Sequence, residues 1–305
     1  MPPTSFSRRG LTFVGMDVHR DTISVGILAP DAELAVVDKI AADPESVRRL
    51  FSRLGPPAGL RACYEAGPTG YWLCRQLRAE GVACDVAAPS LIPRDSRDRV
   101  KTDKRDAQKL ARLHRMGELT PIRVPTPGEE GVRDLLRARE DLAEDRRRAR
   151  QRLSAMLLRH GQVFRGGDAW TLKHLEWLTT RRFEERAVQA AYDRYRAVVS
   201  VRDADLAAVD AELAPWFGHE LFHDRCSRLA AYRGIDQLGA LTLVAEVCDW
   251  RRFASAHQHM IFCGLTPTES SSGRREWRGQ ITKAGTPTSA ASWSSRRGPT
   301  ATRPA

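Results

Sequence analysis

The apolar positions of the first ninety residues change period partway along. Phe13 to Val18, Thr22 to Leu28 and Ala35 to Ile40 are short runs rich in apolar and β-branched residues, the first two joined by His19-Arg20-Asp21. Three such runs so close together predict strands in an antiparallel meander. Beyond them, Pro44 to Leu54 predicts a helix, Leu60 to Glu65 a strand, Thr69 to Glu80 a second helix and Val82 to Ala87 a further strand. Three strands followed by alternating helix and strand fit a ribonuclease-H-like α/β architecture. Actin-like kinases open in the same way, but their phosphate loop needs small residues after the first aspartate. Here Asp17 is followed by Val18, His19 and Arg20.

Pro121, Pro125 and Pro127 punctuate the chain and mark a boundary. After them the pattern is helical. Val132, Leu135, Leu136, Leu142, Leu153, Met156 and Leu157 form a broken apolar stripe that predicts one long helix over Glu129 to His160. That stretch holds nine arginines and no lysine. A bundle or coiled-coil helix with a solvated face explains them, and so does a helix that tracks a phosphate backbone; the two fit different faces. Gly161 to Asp168 reads as a loop. Leu172 to Leu178 and Arg181 to Leu213 read as helices, the latter pairing with the long one and ending at Pro215-Trp216-Phe217-Gly218. A compact helical segment follows from Leu221 to Cys263. In it, Gly234 to Ala240 followed by Leu241 to Val247 resembles the hairpin of helix-hairpin-helix modules, whose turns offer backbone N–H groups to a DNA phosphate.

Composition narrows the function. A chain of 305 residues has room for about two domains, and 42% hydrophobic residues can fill their cores. No run of eighteen apolar residues exists, so no membrane span is expected. Met1 to Gly10 carries two arginines but no apolar region with a cleavage site, and reads as a short disordered tail rather than a signal peptide. The net charge of +11, from 49 basic and 38 acidic residues, suits a polyanion such as DNA or RNA. A solvated basic surface is the plain alternative. Cys63, Cys74, Cys84, Cys226, Cys248 and Cys263 form no Cys-x-x-Cys pair, so they are expected to be reduced and mostly buried in a cytoplasmic protein.

Four acids stand where chemistry could gather them. Asp17 ends the first strand, Glu65 ends a later one, and Asp103 and Asp106 open a segment in which a spacing of three puts them on one helix face. Close carboxylates repel unless cations lie between them, and hard oxygen ligands suit Mg²⁺ or Mn²⁺. Two such ions about 4 Å apart stabilise the attacking and leaving oxygens of a phosphodiester. Arg99, Lys101, Lys104 and Arg105 would offset charge and hold DNA. Each acid alone has a plainer explanation: a turn residue, a surface acid, or an N-cap with a favourable charge in the first turn. Only their joint placement on the expected scaffold favours a site.

Gly-Met-Asp-Val-His at Asp17, Tyr-Glu-Ala-Gly-Pro-Thr-Gly at Glu65 and Lys-Thr-Asp-Lys-Arg-Asp-Ala at Asp103 and Asp106 resemble, in order and spacing, the DEDD transposases of the insertion-sequence one-ten family. The resemblance continues through the arginine-rich helix, Gly234 to Val247, Asp249 to Phe253, Gly264 to Gly273 and Gly279 to Gly285. It therefore covers about residues 11 to 285. It implies a RuvC-like catalytic domain at 11–125, a helical or coiled-coil segment at 126–218 and a small, mainly helical transposase domain at 219–285. It also implies excision and insertion of mobile DNA, a homo-oligomer (dimer or tetramer), and a guide RNA that pairs with donor and target. Asp17, Glu65, Asp103 and Asp106 become metal ligands. Lys101, Lys104, Arg105, Arg146, Arg147, Arg150 and Lys283 become candidate nucleic-acid contacts. The family's nucleophile is a serine before a glycine, which falls on Ser272, with Ser271 and Ser270 next in register. Apart from the family, Ser270-Ser271-Ser272-Gly273 reads as a flexible loop. The two motifs lie far apart in sequence, so a composite site would need them to meet, within one chain or across subunits.

After Gly285 the family pattern gives way to Thr286-Pro287-Thr288-Ser289-Ala290-Ala291-Ser292-Trp293, with no helical periodicity. Suitable codons for these residues, with one adenine placed in front, read Asn-Ala-His-Leu-Arg-Arg-Gln-Leu, the kind of helix the family carries. A frameshift over 286–305 is thus expected, with a disordered tail as the alternative, and a truncated helix could leave the chain inactive. Two other functions remain open at this stage: a RuvC-like junction nuclease that needs only the four acids, and a nucleic-acid-binding remnant without catalysis.

Overall fold

The three expected strands form as a meander: β1 (Thr12–Val18), β2 (Thr22–Leu28) and β3 (Val36–Ala41). They belong to a computed structural model that describes residues 10–93, 102–272 and 275–281. After them come α1 (Pro44–Leu54), β4 (Leu60–Glu65), α2 (Trp72–Ala79), β5 (Ala83–Ala87) and α3 (Asp103–Met116). The sheet order is β3-β2-β1-β4-β5. β2 runs antiparallel to both neighbours, while β4 is parallel to β1 and to β5. This mixed five-stranded sheet with helices agrees with the ribonuclease-H-like architecture expected from the strand order. The chain divides at Val124 and Pro125 into two compact units.

Side chains alternate across the first sheet. Val14, Met16, Ile23, Val25, Ala62 and Tyr64 are fully buried with Val47, Leu50 and Phe51 of α1 and Leu73 and Leu77 of α2. α1 starts where Asp43 accepts from the amide of Ser46 and Pro44 opens the helix. The other sheet face carries α3. Gly15 and Gly26 lie opposite each other on β1 and β2, and the helix backbone rests directly on them. A Cβ on Gly15 would fall 2.3 Å from the amide nitrogen of Ala111, and one on Gly26 would fall 2.6 Å from the carbonyl oxygen of Ala107. α3 therefore approaches more closely than any side chain would permit.

The second unit is built on two long helices, α4 (Pro127–Arg159) and α6 (Arg186–Phe217), with α5 (Leu172–Thr180) between them. Thr126 and Glu129 cap α4 reciprocally. Val132 and Leu136 pack with Leu206, Val209 and Leu213, and Leu153 and Met156 with Tyr192 and Val199. The pair is thus antiparallel, and it lies within one chain. Where a helix was expected from Arg181, α6 begins only at Arg186; it then runs through Pro215 to Phe217.

Next are α7 (His223–Ala230), α8 (Gln237–Val247) and α9 (Ala256–Phe262). In Gly234 to Val247, the segment that resembles a phosphate-binding hairpin, the amide of Gly239 is already engaged. The Gly239 N–H donates to the Asp236 side chain at 2.7 Å, and every residue from Gly239 to Val247 is buried. The mainly helical C-terminal region also contains a hairpin, β6 (Pro267–Ser272) and β7 (Arg275–Ile281). Ser270, Ser271 and Ser272 pair with Trp277, Glu276 and Arg275, so they lie in a strand and not in a loop. All six cysteines are buried, and none of them forms a disulfide. No helix among the described residues is long and apolar enough to cross a membrane. Lys101, Lys283 and the stretch 286–305 lie outside the described residues.

Candidate metal centre

α3 runs antiparallel to β1. Its C-terminal half meets the start of the strand, where the rings of His114 and Phe13 touch edge-on at 5.4 Å, and Ala107 lies over Gly15 and Gly26. The first turn of α3 therefore arrives at the end of β1, where Asp17 stands. Thr102 caps this turn by accepting from the Arg105 amide. Asp103 and Asp106 lie in that turn, where a helix dipole favours negative charge. At the far end, Nε2 of His114 lies 3.1 Å from Asp85 of β5 and clips the helix to the sheet.

The acids meet at the near end. Nε2 of His19 lies 3.3 Å from Asp17 and 3.6 Å from Asp103, and one ligand atom from each of the three residues falls within 4.8 Å of the other two. Asp17 is mostly buried, whereas His19 and Asp103 are about half exposed. Burial pushes the Asp17 carboxyl above its usual range; nearby His19 opposes the shift, and Asp103 and Asp106 add to it. The site thus holds a carboxylate that resists ionisation mainly because it is partly buried, with the neighbouring carboxylates adding to the effect.

Glu65 approaches from the neighbouring strand. Met16 and Tyr64 are partners in the parallel β1–β4 ladder, so Asp17 and Glu65 follow them side by side at adjacent strand ends, about 5 Å apart between strands. Glu65 is exposed. The loop after it is tied down: the Tyr64 hydroxyl donates to the Gly70 carbonyl at 3.0 Å, and the Ala66 amide to Ala87 at 2.9 Å. Asp106 and Glu65 stand outside the tightest group, which among the described residues is Asp17, His19 and Asp103. His19 is the residue that the sequence pattern did not single out. Its signal was its spacing, two positions beyond Asp17.

Lys104 and Arg105 are exposed on the same first turn of α3. Arg146, Arg147 and Arg150 share one face of α4, in the second unit, and line a single cleft there.

Comparison with known proteins agrees with the motifs. A family model for DEDD transposases of the IS110 type matches residues 14–161. A second, described as "Transposase IS116/IS110/IS902 family", matches residues 226–290, five residues past the point where the sequence motifs stop. The chain is 39% identical to the y4qE protein of Sinorhizobium fredii, over 90% of this chain and 67% of that protein. It is 36% identical to the transposase for insertion sequence element IS1533 of Leptospira borgpetersenii, over 78% of this chain and 70% of that one. It is 30% identical to the y4rJ protein of Sinorhizobium fredii, over 91% and 77%.

Proposed function

The chain belongs to the IS110 family of transposases, and from that premise we propose that it cuts and rejoins DNA with a metal-bound carboxylate set and a serine nucleophile. The observation that carries the metal half is the arrival of the α3 first turn at the end of β1, which sets Asp103 and His19 against Asp17. The donor set fits a divalent cation. Crowding by Asp103 and Asp106 helps to hold the Asp17 carboxyl up, and a cation would relieve that crowding. Asp17, Asp103, Asp106 and Glu65 would supply hard oxygen donors suited to Mg²⁺ or Mn²⁺. When bound, such ions stabilise charge on the oxygens of a phosphodiester in displacement.

The chain's own groups divide the remaining work. Lys104 and Arg105 position the DNA backbone beside the acids. The Ser272 hydroxyl attacks phosphorus: a serine–phosphate ester forms, the bond to the departing strand breaks, and the freed strand oxygen takes up the proton. The ester conserves the bond for rejoining to a new strand end. The partners on this reading are element ends and target DNA, a guide RNA and further copies of the chain.

The test is incubation of wild-type, Asp17→Asn, Ser270→Ala, Ser271→Ala and Ser272→Ala proteins with end-bearing DNA and Mg²⁺, followed by denaturing electrophoresis. A protein–DNA adduct in wild type that disappears in Ser272→Ala supports the reading. An adduct that survives in Ser272→Ala but not in Ser271→Ala or Ser270→Ala reassigns the nucleophile. Wild-type cleavage by Asp17→Asn would sink the carboxylate site.

A further inference from the structure

Arg146, Arg147 and Arg150 lie on one face of α4 with Gln151 and Ser154, and with Trp170 they line a cleft of about 510 Å³. That size lies within the range of sites that bury a small ligand. One wall is a stack, with the Arg150 guanidinium 4.7 Å over the Trp170 ring. Trp170 is held there against its backbone preference, at φ 68°, a region that bulky residues avoid. Its amide donates to Nδ1 of His174 at 3.1 Å, and the His174 ring meets the indole edge-on. Strain maintained by its surroundings in this way marks functional positions more often than chance.

Charge in the cleft is unbalanced. Asp203 lies 2.8 Å from Arg150 and 3.7 Å from Arg146, and Glu144 pairs with both Arg147 and Arg148. Three guanidinium groups thus line the cleft, and two carboxylates pair with them. Nε of Arg150 is buried with no hydrogen-bond partner among the described residues, which is costly for a polar group. Cationic and aromatic walls of this kind suit a ligand with an anionic group and a flat face.

We infer that the cleft binds an unpaired nucleotide of a nucleic-acid strand, with its phosphate at Arg146 and Arg147 and its base against the Trp170–Arg150 stack. A lone phosphate would use the arginines and ignore the aromatic wall. A duplex keeps its bases stacked on one another and has none to offer the indole. The inference rests on the reading that the chain's partner is nucleic acid, and it adds which form of nucleic acid this helix takes.

The experiment uses the full chain and short labelled strands: oligothymidylate, oligouridylate, an abasic strand of equal length, and a duplex. Fluorescence anisotropy should show the base-bearing strand bound about five- to hundredfold more tightly than the abasic one, the range for one stacked base. The thymidylate and uridylate arms report whether DNA or RNA is preferred, and a preference for either over the abasic strand supports the site. Trp170→Ala should erase the preference and Trp170→Phe keep it, whereas Arg147→Glu should weaken base-bearing and abasic strands alike. Equal binding of base-bearing and abasic strands by wild type overturns the proposal without needing any variant to fold. An unchanged preference in Trp170→Ala overturns it too. Asp17→Asn should keep the preference while losing cleavage, so failure of this site and failure of the carboxylate site give different results.

Discussion

A partly buried carboxylate set beside other acids costs free energy until a cation arrives, and Asp17 is in that position. Its raised pKa means that the folded chain holds the proton more tightly than the unfolded chain does. Its contribution to stability therefore falls as pH rises from the ordinary carboxylate range through the folded-state value, and the penalty persists at neutral pH. Asp17→Asn should raise the melting temperature of the protein in chelator, abolish the further rise caused by Mg²⁺, and reduce cleavage roughly 10²–10³-fold, the usual effect of removing a transition-state charge partner. A thermal melt with and without Mg²⁺ checks the first two effects, and a lower melting temperature for Asp17→Asn in chelator would contradict a charge penalty at Asp17. Asp85 works in the opposite sense. Its hydrogen bond to His114 holds its carboxyl below the usual range, so this contact stabilises at neutral pH and is lost as pH falls through the folded-state value. At this scale Asp17 was legible because it stands near the end of a strand in a motif that resembles the family's. His19 was not, because a residue after a strand end reads as a turn until Asp103 is seen beside it.

α3 is the element that makes the site, and two glycines decide where it lies. With Gly15 and Gly26 under its backbone, the helix sits low enough for its first turn to reach Asp17. Gly15→Ala should destabilise the chain by about 1–3 kcal/mol or more through overpacking and weaken the Mg²⁺ response, since lifting α3 carries Asp103 away. Gly131→Ala provides the contrast. Gly131 lies within α4 with nothing near its missing Cβ, so alanine should stabilise by about 0.5–1 kcal/mol. Chemical denaturation of both variants tests the pair, and equal effects would refute the role given to the glycines. The start of α3 could be read from Thr102 and the acids behind it. Its depth on the sheet could not, because alternation tells which face a residue is on but not what presses against it. The β6–β7 hairpin escaped the sequence for a related reason. Pro267 to Ser272 carries no apolar alternation, and its pairing is visible only in the backbone ladder.

Across the whole chain, an excess of eleven positive charges should make DNA binding strongly salt-dependent. The logarithm of the binding constant should fall linearly with the logarithm of salt, with a slope of about one per phosphate neutralised. Lys104→Ala should lower that slope by about one. A slope that does not change in titrations at several salt concentrations would remove Lys104 from the contact surface. Much of the plan was present in the sequence alone: the strand and helix order of the first unit, the long helices of the second, the basic charge, and motifs that identify the family. These are local or compositional, and period, punctuation and charge do not depend on what a segment packs against. The tertiary structure alone decided that Gly15 and Gly26 bring α3 onto the sheet, that His19 joins Asp17 and Asp103, and that three arginines share a cleft with Trp170. Each of these depends on residues far apart in the chain meeting at a particular distance, and packing sets that distance.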